Sequence, residues 1–278
     1  MKVRLWGTRG SIASPGPGTA RYGGNTSCVE VRGRDGEVLV LDAGTGMRPL
    51  GVALARESTE IHILLTHLHI DHIQGLGFFA PFFRPDARVH IWGPPSTRYH
   101  LRERLTRYLS PPLFPVRLRD LACTLEFHEL LDEEVRIGKL RVTADLVLHP
   151  GTTSGYRISE NGSTLAYLPD HEPALGARRF PEDARWTSGF DIAEGADLLI
   201  HDSQYLGGEY PEHIGWGHSS IEDTIAFARL SHVKKLVAFH HDPSHDDASL
   251  DMMWALGESM GPLPFDFSVG AEGSLFEL

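Results

Sequence analysis

The chain has 278 residues, 41% of them hydrophobic, which is ample for a packed core. Its formal net charge of −11 weighs against general nucleic-acid binding, which rests on phosphate neutralisation by Lys and Arg, although aspartates that hold metal are counted there as free anions. The apolar runs reach only strand length, and the N-terminal MKVRLWGTRG has no apolar h-region, so neither a membrane span nor secretion is expected.

In chain order, MKVRLWG predicts a strand entering a Gly-rich turn. TSCVEVRG and EVLVLDAGTG predict two more strands, with Gly36 at the break between them. MRPLGVALARE has helical spacing and leads to the strand IHILL. IQGLGFFAPFF predicts the opening of a helix, and RVHIWGP a further strand. Residues 97–109 predict an amphipathic helix with Leu101, Leu105 and Tyr108 on one face. The second half repeats this alternation. LRVTADLVLHP, SGYRISENGSTLAYLPD, ADLLIHDSQ and KKLVAFHH predict strands, and SIEDTIAFARLSHV a helix capped by Ser219 or Ser220. No Pro/Gly/Ser linker divides the chain, so residues 1–278 are expected to form one domain. Two cysteines, Cys28 and Cys123, cannot staple a domain of this size and are expected to be reduced core thiols in a cytoplasmic protein.

Sixteen histidines are unusual, and many follow apolar runs. The stretch ILLTHLHIDHIQG places His67, His69, Asp71 and His72 directly after a strand. If Thr66 to Asp71 is extended, alternation turns His67, His69 and Asp71 to one side, with Leu68 and Ile70 facing the core. His72, where the chain turns, can then reach a second position roughly 3.5 Å away, the spacing of paired metals. Imidazole and carboxylate donors suit Zn, Mn or Fe, and the lack of thiolates argues against a structural cysteine-type zinc site.

The HxHxDH run after an apolar strand resembles the signature of the metallo-β-lactamase-fold hydrolases. That resemblance implies an α/β fold: a four-layer αββα sandwich of two packed mixed β-sheets. It implies two divalent metal ions, Zn or Mn foremost with Fe as a third option. His149, ending LVLHPG, matches the family's third histidine and completes the site of His67 and His69. Asp170, ending LAYLPD, matches the aspartate that bridges both metals. His240, ending KLVAFH, matches the histidine that joins Asp71 and His72 at the second metal. Adjacent residues on a strand face opposite ways, so one of His240 and His241 is expected at the metals; the resemblance selects His240.

Among the activities this fold hosts, oxygen-reducing diiron proteins are disfavoured because His69 stands where an acid is expected. Exported zinc β-lactamases are disfavoured because Asp170 stands where they place a cysteine. LWGTRGS, GGNTSCVEV and LVLDAGTG are similar to the opening of ribonuclease Z and the PhnP-like cyclic phosphodiesterases. LLIHDSQY, with His201 and Asp202, is similar to a histidine-plus-acid motif of that branch, and WGHSSIED supplies its extra histidine, His218. No long basic insertion resembling the tRNA-gripping arm of many ribonuclease Z enzymes is present, and two separated cysteines cannot build the additional zinc site of PhnP-like enzymes. The expected function is therefore a dinuclear hydrolase of a small cyclic or simple phosphodiester, acting through a hydroxide shared by the metals. Asp71 would orient that nucleophile and His218 would protonate the leaving oxygen. Three alternatives stand beside it: a glyoxalase II-like thioesterase, a tRNA-processing nuclease of the ribonuclease Z type, and a non-catalytic metal or nucleotide sensor. From Arg84 to Arg119 there are eight arginines and two acids, a stretch that reads as a solvated helix and loop, as a homodimer contact, or as an anion-facing wall above the metals.

Overall fold

The computed structural model describes residues 1–57, 59–177, 180–181 and 183–278. Its first half comprises β1 (Lys2–Gly7), β2 (Cys28–Arg32), β3 (Val38–Leu41), α1 (Met47–Leu54), β4 (Glu60–Leu64), α2 (Ile70–Ile73), β5 (Arg88–Gly93), α3 (Leu101–Tyr108) and β6 (Thr124–Glu129). The second comprises β7 (Glu134–Ile137), β8 (Leu140–Leu146), β9 (Ser154–Glu160), β10 (Ser163–Leu168), α4 (Phe190–Ala193), β11 (Leu198–Asp202), α5 (Ile221–Leu230), β12 (Lys235–Phe239), α6 (Asp247–Ser259), β13 (Asp266–Val269) and β14 (Leu275–Glu277). Strands β6, β7, β13 and β14 and helices α4 and α6 go beyond the elements expected from sequence. Conversely, IQGLGFFAPFF forms two short 3-10 turns, Leu76–Phe78 and Ala80–Phe83, where a longer helix was expected. Gly75, Gly77 and Pro81 leave it no continuous helical run.

Two seven-stranded mixed sheets result, in the orders β14-β1-β2-β3-β4-β5-β6 and β13-β12-β11-β10-β9-β8-β7. Strand alternation sorts their side chains into three buried layers. Leu39, Leu41 and Leu64 meet Tyr156, Ile158, Leu165, Tyr167, Ile200 and Phe239 between the sheets. Val38, Val40, Ile61 and Ile63 face outward onto Met47, Leu50 and Leu54 of α1 and Leu101 and Leu105 of α3. Ala166, Leu168, Leu199, Leu236 and Ala238 face the other way, onto α4, α5 and α6. This is the αββα sandwich of the metallo-β-lactamase fold. Cys28 and Cys123 are both free and buried.

Strand direction positions the site. β3, β4 and β5 are mutually parallel in one sheet, as are β10, β11 and β12 in the other. Their carboxyl ends therefore come out at one edge of the sandwich, where ligand sites of parallel sheets form. The sheets are tied across that edge by Ser154 N–H donating to the Thr66 carbonyl at 2.9 Å and by the Tyr156 hydroxyl donating to that of Leu65 at 2.7 Å. Among the described residues, no helix is long and apolar enough to cross a membrane.

Candidate metal centre

The HxHxDH run is not extended throughout. β4 ends at Leu64, residues 65–69 are irregular, and α2 starts at Ile70 with His69 as its N-cap. Ile70 is consequently 51% exposed, contrary to the expectation that it faces the core, while Leu68 packs against the outer layer under α1 as expected. Turning the chain into a helix at Ile70 sends Asp71 and His72 inward together, which a strand could not do.

The seven sequence-predicted ligands converge. Asp170, just past β10, stands between two groups. Its Oδ2 lies 3.8 Å from His67 Nε2 and 3.7 Å from His149 Nε2, and His149 Nε2 lies 3.2 Å from His69 Nδ1. Its Oδ1 lies 3.0 Å from His72 Nε2 and 3.3 Å from His240 Nε2, and Asp71 Oδ2 lies 3.3 and 3.2 Å from those same nitrogens. An ion with zinc-like bond lengths has tetrahedral edges of about 3.3 Å, so both groups match the size of a single coordination shell.

Tautomers sharpen the fit. His72 Nδ1 is 2.8 Å from the Asp42 carboxylate and His240 Nδ1 is 3.1 Å from Gln204 Oε1, so each Nδ1 carries the hydrogen and donates it. In the neutral rings each Nε2 is then a bare lone pair, and the two face one another at 3.3 Å. Two lone pairs at that distance repel unless a cation lies beside both. Likewise His149 Nδ1–H donates to the Gly217 carbonyl at 2.8 Å, freeing Nε2. His67 Nε2 and Asp170 Oδ1 are buried without a hydrogen-bond partner. The donor set thus fits two divalent ions, His67, His69, His149 and Asp170 around one and Asp71, His72, His240 and Asp170 around the other. Charge balance points the same way. Burial disfavours a charged His72, but the carboxylates of Asp170, Asp71 and Asp42 outweigh burial and raise its pKa well above the usual value. These acids call for positive charge, and a cation at Nε2 would meet the demand.

His241 faces elsewhere. Its Nε2 lies 2.8 Å from the Gly270 carbonyl, and burial, its main perturbation, lowers its pKa to about 3. His240 takes φ 61°, a conformation uncommon for a non-glycine residue, and this kink past β12 aims it at the cluster. His218 stacks on His240 with ring centroids 5.0 Å apart. Its Nδ1 sits 2.7 Å from Asp202 Oδ2. Burial by itself would strip His218 of its proton, but Asp202, reinforced by Asp170 and Asp71, raises its pKa to about 9.

The two residues of the HDSQ motif part company. Asp202, at the end of β11, holds His218 and accepts the N–H groups of His171 and Gln204 at 3.1 and 2.9 Å. His201 turns into the layer beneath α5, against Phe227, and burial lowers its pKa to about 4. GTRGS also serves the site. Ser11 N–H donates to Asp71 Oδ2 at 2.8 Å, and Gly10 leaves room for His240, whose Nδ1 would lie 2.4 Å from an added Cβ. Arg9 is fully buried and pins the loop through the carbonyls of Gly23, Asp242 and His245.

Several supporting residues lie outside the sequence-predicted set. Asp42 accepts from His72, Thr66 and Tyr167. Gln204 orients His240, and buried Glu172 accepts the N–H groups of Gly215 and Gly217 at 2.8 and 2.7 Å, fixing the loop whose carbonyl orients His149. A signal for Asp42 was present in LVLDAGTG, an acid ending a buried strand just as Asp170 does. In the Arg-rich stretch, Arg102 lies over Phe127, Arg107 over Tyr99, Arg104 against Glu129 and Arg84 against Asp86. These local partners favour the solvated-helix reading over an anion-facing wall.

Comparison with known proteins agrees with this fold. A family model described as a β-lactamase superfamily domain matches residues 38–241. A ribonuclease Z of Haloarcula marismortui is 26% identical over 274 residues, covering 86% of each chain. The human short-form tRNase Z structure superposes with a TM-score of 0.69 at 19% identity, covering 100% of this chain and 99% of the other. A diphosphatase of the PhnP family gives a TM-score of 0.70 at 20% identity, covering 100% and 97%.

Proposed function

The chain belongs to the β-lactamase superfamily and is a hydrolase of the metallo-β-lactamase fold; on that premise we propose that residues 1–278 act as one domain that hydrolyses a small cyclic or simple phosphodiester with two divalent metal ions. One observation carries the reading: the two oxygens of Asp170 address two separate histidine groups, with His218, paired to Asp202, held beside them. His67, His69 and His149 would hold one ion, Asp71, His72 and His240 the other, and Asp170 both. When bound, such a pair lowers the pKa of water toward neutrality and draws charge from phosphoryl oxygens.

The chain's own groups do the rest. Asp71 keeps its carboxyl well below the usual range, because His72 and His240 outweigh the opposing effect of burial. It therefore stays an acceptor at neutral pH and can orient a nucleophilic water. His218, donating Nδ1–H to Asp202, has Nε2 available to protonate a departing alkoxide, a contribution worth about 10²–10⁴-fold. An acid of this kind matters most for poor leaving groups, such as the ribose oxygen of a cyclic nucleotide. The ribonuclease Z relative supports phosphodiester chemistry, while the net charge of −11 favours a small substrate over an RNA.

The test is a side-by-side assay of metal-replete protein on bis-p-nitrophenyl phosphate, cyclic nucleotides, a pre-tRNA and S-lactoylglutathione. Phosphodiester turnover that falls at least 100-fold in His218→Ala for alkyl leaving groups, with metal content retained, is the expected outcome. Preferred hydrolysis of the thioester would replace this reading with a thioesterase, and loss of metal in His218→Ala would make that residue a ligand.

A further inference from the structure

A second histidine cluster lies within the strands themselves rather than past their ends. β4, β5 and β6 run parallel, and their registers pair His62 with His90, His90 with Glu126, and Trp92 with His128. Residues two apart on each strand share a face, so Glu60, His62, His90, Trp92, Glu126 and His128 gather on one side of this end of the sheet. We propose that His90, Glu126 and His128 form a further metal site, sharing no residue with the candidate centre, for a divalent transition ion of the zinc class.

The donor atoms are already at coordination spacing. His90 Nδ1 lies 3.1 Å from His128 Nε2 and 3.6 Å from Glu126 Oε2, close to the tetrahedral edge of about 3.3 Å, and the three donors lie within 4.8 Å of one another. His90 is 9% exposed, and its Nε2 is buried without a hydrogen-bond partner, 3.6 Å from Glu60 Oε1. An ion on Nδ1 forces the ring hydrogen onto Nε2, where it faces that carboxylate, the usual relation between a metal-bound imidazole and the acid behind it. Glu126 and His128 are half-buried, which leaves an ion a route in and a position for water. Trp92 stacks on His128 with centroids 4.0 Å apart and donates its indole N–H to His62 Nδ1 at 3.2 Å. The same donation makes His62 Nδ1 an acceptor, so a neutral His62 keeps its hydrogen on Nε2 and flanks the ion without binding it. Two imidazoles and one carboxylate with an open position suit Zn, Ni or Cu better than Mg or Ca. β6 is an edge strand, and an ion held between it and β5 would pin that edge.

The experiment is metal stoichiometry on tag-free protein, by equilibrium dialysis against zinc followed by elemental analysis. The wild type is expected to hold three equivalents, and His128→Ala two, with phosphodiesterase activity unchanged. Glu126→Gln should weaken the third equivalent at least tenfold. Asp170→Ala, which depletes the candidate centre, should keep one equivalent and still gain melting temperature on zinc addition. Equal zinc content in the wild type and His128→Ala would overturn the proposal, leaving an ordinary hydrogen bond between two neutral histidines. So would an Asp170→Ala protein whose remaining zinc persists after His90→Ala.

Discussion

Asp42→Asn tests the orientation argument most directly. The Asp42 carboxylate is fully buried and accepts on both oxygens, Oδ1 from Thr66 N–H at 2.8 Å and Oδ2 from His72 Nδ1–H at 2.8 Å and the Tyr167 hydroxyl at 3.0 Å. An amide is isosteric but turns one acceptor into a donor. With the NH2 on the Thr66 side, a backbone N–H meets another N–H, which costs about 1–3 kcal/mol for a buried donor left unpaired. With the NH2 on the other side, His72 must move its hydrogen to Nε2, the atom that faces Asp71, Asp170 and His240. A hydrogen there blocks coordination, so affinity for the second metal should fall about 10–100-fold, the range seen when a ligand's orienting partner is removed. Chelator competition would measure that affinity, and thermal melting would detect the alternative. Tyr167→Phe is the control, since it removes one hydroxyl donor to the same carboxylate and leaves the His72 tautomer alone. An Asp42→Asn protein with wild-type affinity for both metals and a wild-type melting temperature would refute the reasoning.

Three other outcomes are expected. His240→Ala should lose about one equivalent of metal relative to the wild type while His241→Ala loses none, because only His240 reaches the cluster; elemental analysis decides, and the reverse pattern would exchange their roles. Asp202→Asn should move the descending limb of the pH–rate profile to lower pH. His218, raised to about 9, is protonated below that value and loses the proton as pH rises through it, and without the carboxylate burial prevails. A limb that stays in place would remove His218 as the acid. Chelation should lower the melting temperature by roughly 5–10 °C, since binding at 100 times Kd contributes about 2.7 kcal/mol and each kcal/mol shifts a chain of this size by about 2–4 °C. An unchanged melting curve would mean that the cluster is stable without cations.

The sequence was sufficient for the alternation of apolar residues that builds both sheets, and for the polar residues placed just past strand ends. His67, His69, Asp71 and His72 were legible as a dense polar run after an apolar strand, and His149, Asp170 and His240, each past an apolar strand, through the family resemblance. Edge strands such as β6 and β7 were not, because half-buried strands alternate weakly and look like loops. Which way a side chain turns after its strand ends was decided by tertiary structure alone. The helical start at Ile70 swings Asp71 and His72 inward, and the left-handed kink at His240 separates it from His241. Asp42, Gln204, Glu172 and Asp202 acquire their roles by hydrogen-bonding residues far away in sequence, such as His72 from Asp42 or the Gly217 amide from Glu172. A local pattern records what a residue costs to bury. Its partner is chosen only when separate strands deliver their ends to one edge, and that choice sets the tautomer of each histidine and hence where a cation can bind.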